Sequence, residues 1–181
     1  MTTSQESTQI PRPSLVSLEK KAYWLGLLLL ASGLHVFEAV MPSFGPWFKL
    51  GLANIITLIA LQSMGTKAAA SLAIGRVVIG AFFIGTMFTP TFIISLTATL
   101  ASTSVMLISW RFIPRISLIG VSLMGALAHM CSQFVVVEQL FIQQIALYYL
   151  LPPLLVLSCA TGWLNGALAT YITAQLTIRS R

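Results

Sequence analysis

Aspartate is absent from this 181-residue chain, and glutamate occurs only four times, at Glu6, Glu19, Glu38 and Glu138. A magnesium–diphosphate centre needs several carboxylate oxygens gathered on a hard cation, so four dispersed glutamates cannot build one. No GxxxxGK[ST] run is present, which removes a phosphate-cradling loop for ATP. The two cysteines, Cys131 and Cys159, stand alone inside apolar runs, with no CxxC and no Cys/His ligand spacing. They read as small hydrophobes, and neither a disulfide framework nor a metal site is implied. No nucleophile, base and orienting group can be assembled either, so the chain is not expected to be an enzyme and needs no cofactor.

Charge is scarce as well. Only 8% of residues are charged, where a soluble globule carries about a quarter. What fills the space is apolar: 57% of the chain is hydrophobic and the mean hydropathy is +0.91. These values describe an integral membrane protein. The formal charge of +6 does not point to nucleic acid, because the basic residues stand singly at the ends of apolar runs rather than in a patch.

Crossing about 30 Å of hydrocarbon takes about 20 apolar residues. Cutting at Pro, Gly and charge predicts spans over 22–41, 47–64, 67–87, 90–110, 115–137 and 152–175. The expectation is an all-α, compact six-helix membrane bundle over 22–175. A flexible cytoplasmic tail is expected over 1–21 and a short cytoplasmic tail over 176–181. The tail has two prolines and lacks the basic start and compact apolar core of a cleavable signal. With both termini in the cytoplasm, Arg12, Lys20, Lys21, Lys67, Arg111, Arg115, Arg179 and Arg181 collect on the inner face. Only Lys49 is left in an outer loop and Arg76 within a span, so the asymmetry sets the direction. Trp24 and Trp110 fall near the inner boundary and Trp47 near the outer one, as interfacial anchors do.

The stretch EQLFIQQIALYYLLPP, 138–153, is too polar to continue a span. Pro152 and Pro153 suit a helix's first turn, where a missing amide hydrogen costs little. Residues 139–150 are thus expected as an outer, partly interfacial segment: either a plain connector or a cover over something beneath.

Small residues recur every fourth position at Ala69, Ala73, Ala81 and Gly85, and at Ser158, Gly162, Gly166 and Thr170. Such stripes let helices approach closely in lipid, here within one bundle in preference to a dimer seam. In the fifth span Ser122, Gly125, Ala126, His129, Ser132 and Gln133 form one small and polar face. The first span matches it with Ala31, His35 and Glu38 at i, i+4 and i+7. Asn54 and Arg76 add an amide and a cation. Each ionisable group inside a span costs several kcal/mol unless paired or hydrated, which makes it a candidate for function. Arg76 could equally be pinned by a carboxylate, and His129 and Gln133 could simply hydrogen-bond between helices.

Lys49 is the odd residue. It sits at the start of the second span, where the helix already presents positive partial charge, so a lysine there is unfavourable without a negative partner. An ammonium beside free helix amides is a ready site for carboxylate or phosphate, and Phe44, Trp47 and Phe48 would suit an apolar part of the same ligand. The competing reading is a lysine snorkelling to lipid phosphates.

FEAVMP followed by KLGLANIITLIAL, the GR pair at 75–76 and GALAHMCSQ resemble the Gx transporter family, often labelled heptaprenyl diphosphate synthase component I. The resemblance runs from about residue 22 to 175, and KLGLAN is its most specific block. Members are similar to the substrate-binding S components of energy-coupling factor transporters. That resemblance implies a substrate pocket toward the outer side of a bacterial inner-membrane protein. It also implies partners: a scaffold membrane subunit and paired ATPases. Lys49, Asn54, Arg76, His129 and Gln133 match its recurrent polar positions, with Glu38 and Trp47 beside them as further candidate ligand contacts. The expected function is a substrate-binding transporter subunit for a partly apolar, anionic small molecule, isoprenoid- or quinone-related by the family label. The alternatives are a non-catalytic membrane subunit of a prenyl-synthesis or quinone-linked electron-transfer system, and a proton-coupled carrier working through His35, Glu38 and His129.

Overall fold

The computed structural model describes residues 15–40, 51–141 and 143–179. Six α-helices carry the fold: α1 Leu15–Val40, α2 Leu52–Met64, α3 Thr66–Ile84, α4 Pro90–Phe112, α5 Leu118–Leu140 and α6 Leu151–Arg179. A short 3₁₀ helix, Ile145–Leu150, precedes α6. Five of these stretches are long and apolar enough to cross a membrane, and α2, with 13 residues, is shorter.

The helix ends follow the local chemistry. Pro90 opens α4 in the first helical turn, where its missing N–H is no loss. Ser117 caps α5 by accepting a hydrogen bond from the Gly120 amide at 3.1 Å. Pro152 and Pro153 lie in the first turn of α6, as their placement in the sequence predicts.

Several boundaries differ from expectation: the second span, expected over 47–64, is helical from Leu52, after Gly51 with its left-handed φ of 73°, and the fifth, expected over 115–137, runs Leu118–Leu140. Helix α1 begins at Leu15, so residues 15–21 of the expected tail are helical. Lys20 and Lys21 are good helix formers, and nothing but solvent limits a helix that leaves the membrane. At 26 residues α1 is about 39 Å long, more than a bilayer core requires. Likewise α6 runs to Arg179, through most of the expected C-terminal tail. Residues 1–14 and 180–181 lie outside the described residues.

Around the bundle, α1 packs on α3, α3 on α4, α4 on α5 and α5 on α6, while α2 touches α1, α3 and α6. Seven consecutive α2 residues, Ile55 to Leu61, are buried, together with Ala53. A helix that is apolar on every side is a core helix, and α2 is the one the others enclose. It contributes more of the main core than any other helix, and Leu28 of α1, Leu72 of α3, Met106 of α4 and Val121 of α5 belong to the same cluster.

The small-residue stripes act within the chain. A Cβ at Gly166 would stand 2.6 Å from the Ile119 Cα, and one at Gly162 would stand 2.8 Å from the Ala126 Cβ. Both contacts are with α5, so the GxxxG of α6 lets two backbones of one bundle meet. On α3, Ala69, Ala73 and Ala81 are buried in the same way. Trp24 donates its indole N–H to the Ala68 carbonyl at 3.3 Å, a tie between α1 and α3 in addition to any anchoring role.

Candidate functional site

Polar residues of all six helices converge. Near the C-terminal end of α1, His35 and Glu38 are buried, one turn apart and on the face that also buries Ala31. Glu38 Oε1 accepts a hydrogen bond from the Leu52 amide, the first residue of α2. The carboxylate thus satisfies one of the amides a helix start leaves open and neutralises part of its positive end. Gly51 makes that turn possible: its φ of 73° lies in the left-handed region, where a side chain is strained. The Gly51 carbonyl then accepts the Asn54 amide at 2.8 Å and the Asn165 Nδ2 of α6 at 3.2 Å. The Gly51–Leu52 turn therefore ties the end of α1 and the start of α2 to the middle of α6.

Arg76 comes from the middle of α3. It is 7% exposed, and its Nε has no hydrogen-bond partner among the described residues. Glu38 is the acidic group whose charge acts on it. From the far side, α5 supplies His129 and the buried Gln133, and α4 supplies the buried Ser95 and Thr99.

These groups enclose a cavity of about 80 Å³. His35, Glu38, Gly51, Asn54 and Arg76 form one wall. Ser95, Thr99, Ala126, His129, Met130 and Gln133 form a second, and Ser158, Thr161 and Asn165 close the third. The space is large enough for several waters or a small ligand head, and it is polar enough to hold either. It occupies the half of the bundle where α1, α3 and α5 end and α2, α4 and α6 begin.

Five candidates from the sequence, Glu38, Asn54, Arg76, His129 and Gln133, thus line one cavity, and His35 joins them. Lys49 and Trp47 lie outside the described residues. The helix-start amide that was expected to meet a ligand anion is held by Glu38 instead. Glu138 is not in the cavity wall and accepts a hydrogen bond from Gln139 at 2.8 Å. Sequence reasoning missed Ser95, Thr99, Thr161 and Asn165. Hydroxyls are ordinary in membrane helices, but Asn165, an amide inside a 29-residue apolar helix, was a legible signal.

Next to the polar cavity lies a smaller slot of about 20 Å³, lined by Met130, Gln133, Phe134, Val137, Leu147 and Leu154. Met130 and Gln133 belong to both. Leu147 of the 3₁₀ helix is buried against Phe134 and Val137, and Tyr148 meets Phe134 edge to face at 5.3 Å. Of the segment expected over 139–150, residues 139 and 140 continue α5, while Leu147 and Tyr148 pack onto α5 at the slot. At the opposite end of the bundle a wider, open recess runs between Gln62, Trp110, Ile119 and Thr173 and holds no charged residue. Among the described residues, no group of three or more His, Cys, Asp or Glu side chains gathers as a metal site.

A family model described as heptaprenyl diphosphate synthase component I matches residues 27–172. No curated protein and no solved structure matches the chain.

Proposed function

The chain belongs to the heptaprenyl diphosphate synthase component I family, and from that premise we propose that it is the substrate-binding membrane subunit of a small-molecule transporter. It works without catalysing a reaction. One observation carries the reading: ionisable and amide side chains from five helices surround one cavity inside an apolar bundle. Polar groups at membrane depth are too costly to be gathered for packing alone, and a cavity is where a polar ligand would repay them. In this reading all six helices cross the bacterial inner membrane, with both termini in the cytoplasm, and the cavity opens to the outer side. Arg76 and Lys49 attract negative charge, Asn54, His129 and Gln133 orient the ligand, and Glu38 holds the start of α2 in place. Energy comes from a scaffold membrane subunit and an ATPase pair, since the chain has no nucleotide-binding loop of its own.

The family description supports a second reading. "Component I" implies a partner component, and the chain would then be the non-catalytic membrane subunit of a prenyl diphosphate synthase. Its lack of aspartate means that the magnesium-binding carboxylates would have to come from that partner.

Affinity purification from native membranes in mild detergent separates the two. Recovery with an ATPase pair and a second membrane subunit is the expected result. Recovery with a soluble synthase subunit, and no ATPases, would overturn the transport reading in favour of the second.

A further inference from the structure

We infer that the cavity binds a compact monocarboxylate, its acid group on Arg76 and its apolar body passing Met130 and Gln133 into the slot beneath the 3₁₀ helix. This rests on the ligand-binding reading above and names the class of ligand.

Arg76 carries the argument. Its guanidinium is buried among polar groups, with an Nε that has no hydrogen-bond partner among the described residues, and it lines the cavity. A buried donor without an acceptor is a standing cost, and the planar fork of an arginine matches a carboxylate through two parallel hydrogen bonds. Glu38, the acidic residue of the wall, is already engaged by the Leu52 amide.

Charge then limits the ligand. Among the described lining residues there is one permanent cation, Arg76, and one carboxylate, Glu38, with His35 and His129 beside them. A diphosphate would bring several negative charges to that set. It would need more arginines and lysines, or a magnesium ion held by carboxylates that this chain does not contain. Arg76 and Glu38 offset each other, so a single added negative charge is the least this wall is asked to absorb. The remaining lining, Asn54, Ser95, Thr99, Gln133 and Asn165, is neutral and suited to orient a head group.

The slot gives the ligand its second half. Apart from Gln133, its lining residues are apolar, and it meets the polar cavity at Met130 and Gln133. Methionine adapts its shape to irregular apolar partners, which suits a residue standing where head and body join.

The test uses the purified full chain in detergent and matched probes that differ only in the head: octanoate and octanol, phenylacetate and 2-phenylethanol, geranate and geraniol. Geranyl diphosphate with magnesium is the fourth arm. Dissociation constants are read from the ligand-dependent rise in Tm. At least one acid is expected to bind about tenfold or more tightly than its alcohol, the gain from one charge-assisted hydrogen-bonded pair. Geranyl diphosphate is expected to bind no better than geraniol. In Arg76→Lys, which keeps the charge and loses the fork, the preference for acid should fall by about tenfold. The wild-type comparison stands even if that variant does not fold. Equal or tighter binding of all the alcohols, no binding of any acid, or tighter binding of the diphosphate than of geranate would overturn the inference. Because partners are not read here, this outcome is independent of the purification that tests the transport reading.

Discussion

Glu38 of α1 accepts a hydrogen bond from the backbone amide of Leu52, so the last turn of one helix caps the first turn of another. The Met41–Leu50 connection separates the two in sequence, and the carboxylate restores their continuity in space. The same side chain supplies the negative charge that acts on Arg76. It therefore serves the backbone and the cavity at once.

Loss of that carboxylate should cost stability before it costs anything else. Glu38→Ala leaves a buried amide unsatisfied and Arg76 without its nearby anion, and about 3 kcal/mol of destabilisation is expected. Glu38→Gln keeps an acceptor and should lose about half as much. Unfolding midpoints in detergent, compared with Arg76→Gln and the double variant, would check this. Additive single effects would show that the two side chains do not support each other.

Gly80 of α3 should tolerate no side chain while His35 is present. A Cβ there would stand 2.5 Å from the His35 Cδ2, and the imidazole is itself buried. Gly80→Ala is expected to cost about 1–3 kcal/mol as overpacking. Truncating the ring in Gly80→Ala/His35→Ala should recover part of it. Gly33→Ala is the control, since a Cβ there meets nothing within 4 Å. Thermal unfolding that ranked the two glycine variants equally would refute the contact.

How much of this was written in the sequence depends on what each residue can signal. His35 and Glu38, and the face from Ser122 to Gln133, were legible because helical spacing decides which side chains share a side, and polar groups in an apolar run must turn inward. The buried status of Ser122 and Gln133 agrees. The cap on α2 was not legible: that Leu52 donates to Glu38 depends on a turn through Gly51 that no periodicity describes. Asn165 stands out as an amide in an apolar helix, but its bond does not. Its partner, the Gly51 carbonyl, is 114 residues away, and a backbone acceptor leaves no mark in composition. The extent of α1 and α6 escaped because helices do not stop where the hydrocarbon does.

The 3₁₀ segment should act as a separable cover over the slot. Phe134 and Tyr148 form its edge-to-face contact at 5.3 Å, with an interplanar angle of 71°. A double-mutant cycle of Phe134→Leu and Tyr148→Leu is expected to give a coupling of about 0.5–1.5 kcal/mol, the usual worth of such a pair beyond its buried area. Hydrogen exchange of residues 147–150 should rise in either single variant while α5 below Met130 stays protected. Uniform exchange along α5 would mean that the segment and the helix open as one unit.

Direction across the membrane gives the last expectation. Phe88 lies between α3 and α4, and Ile113 lies between α4 and α5, at opposite ends of a 23-residue helix; both are exposed. Arg111 and Arg115 flank Ile113, and Lys20, Lys21 and Lys67 belong to the same side by helix count, whereas no basic residue lies between Gly85 and Pro90. Basic residues are retained in the cytoplasm during insertion, so the Phe88 end should face outward, and with it the cavity bounded by Glu38 and Asn54. In a background carrying Cys131→Ser and Cys159→Ser, a membrane-impermeant maleimide should label Phe88→Cys in intact spheroplasts. Ile113→Cys should react only after permeabilisation. The opposite pattern would place the cavity on the cytoplasmic side, where it could not receive an incoming substrate, and uptake would have to give way to export or to delivery toward a cytoplasmic partner.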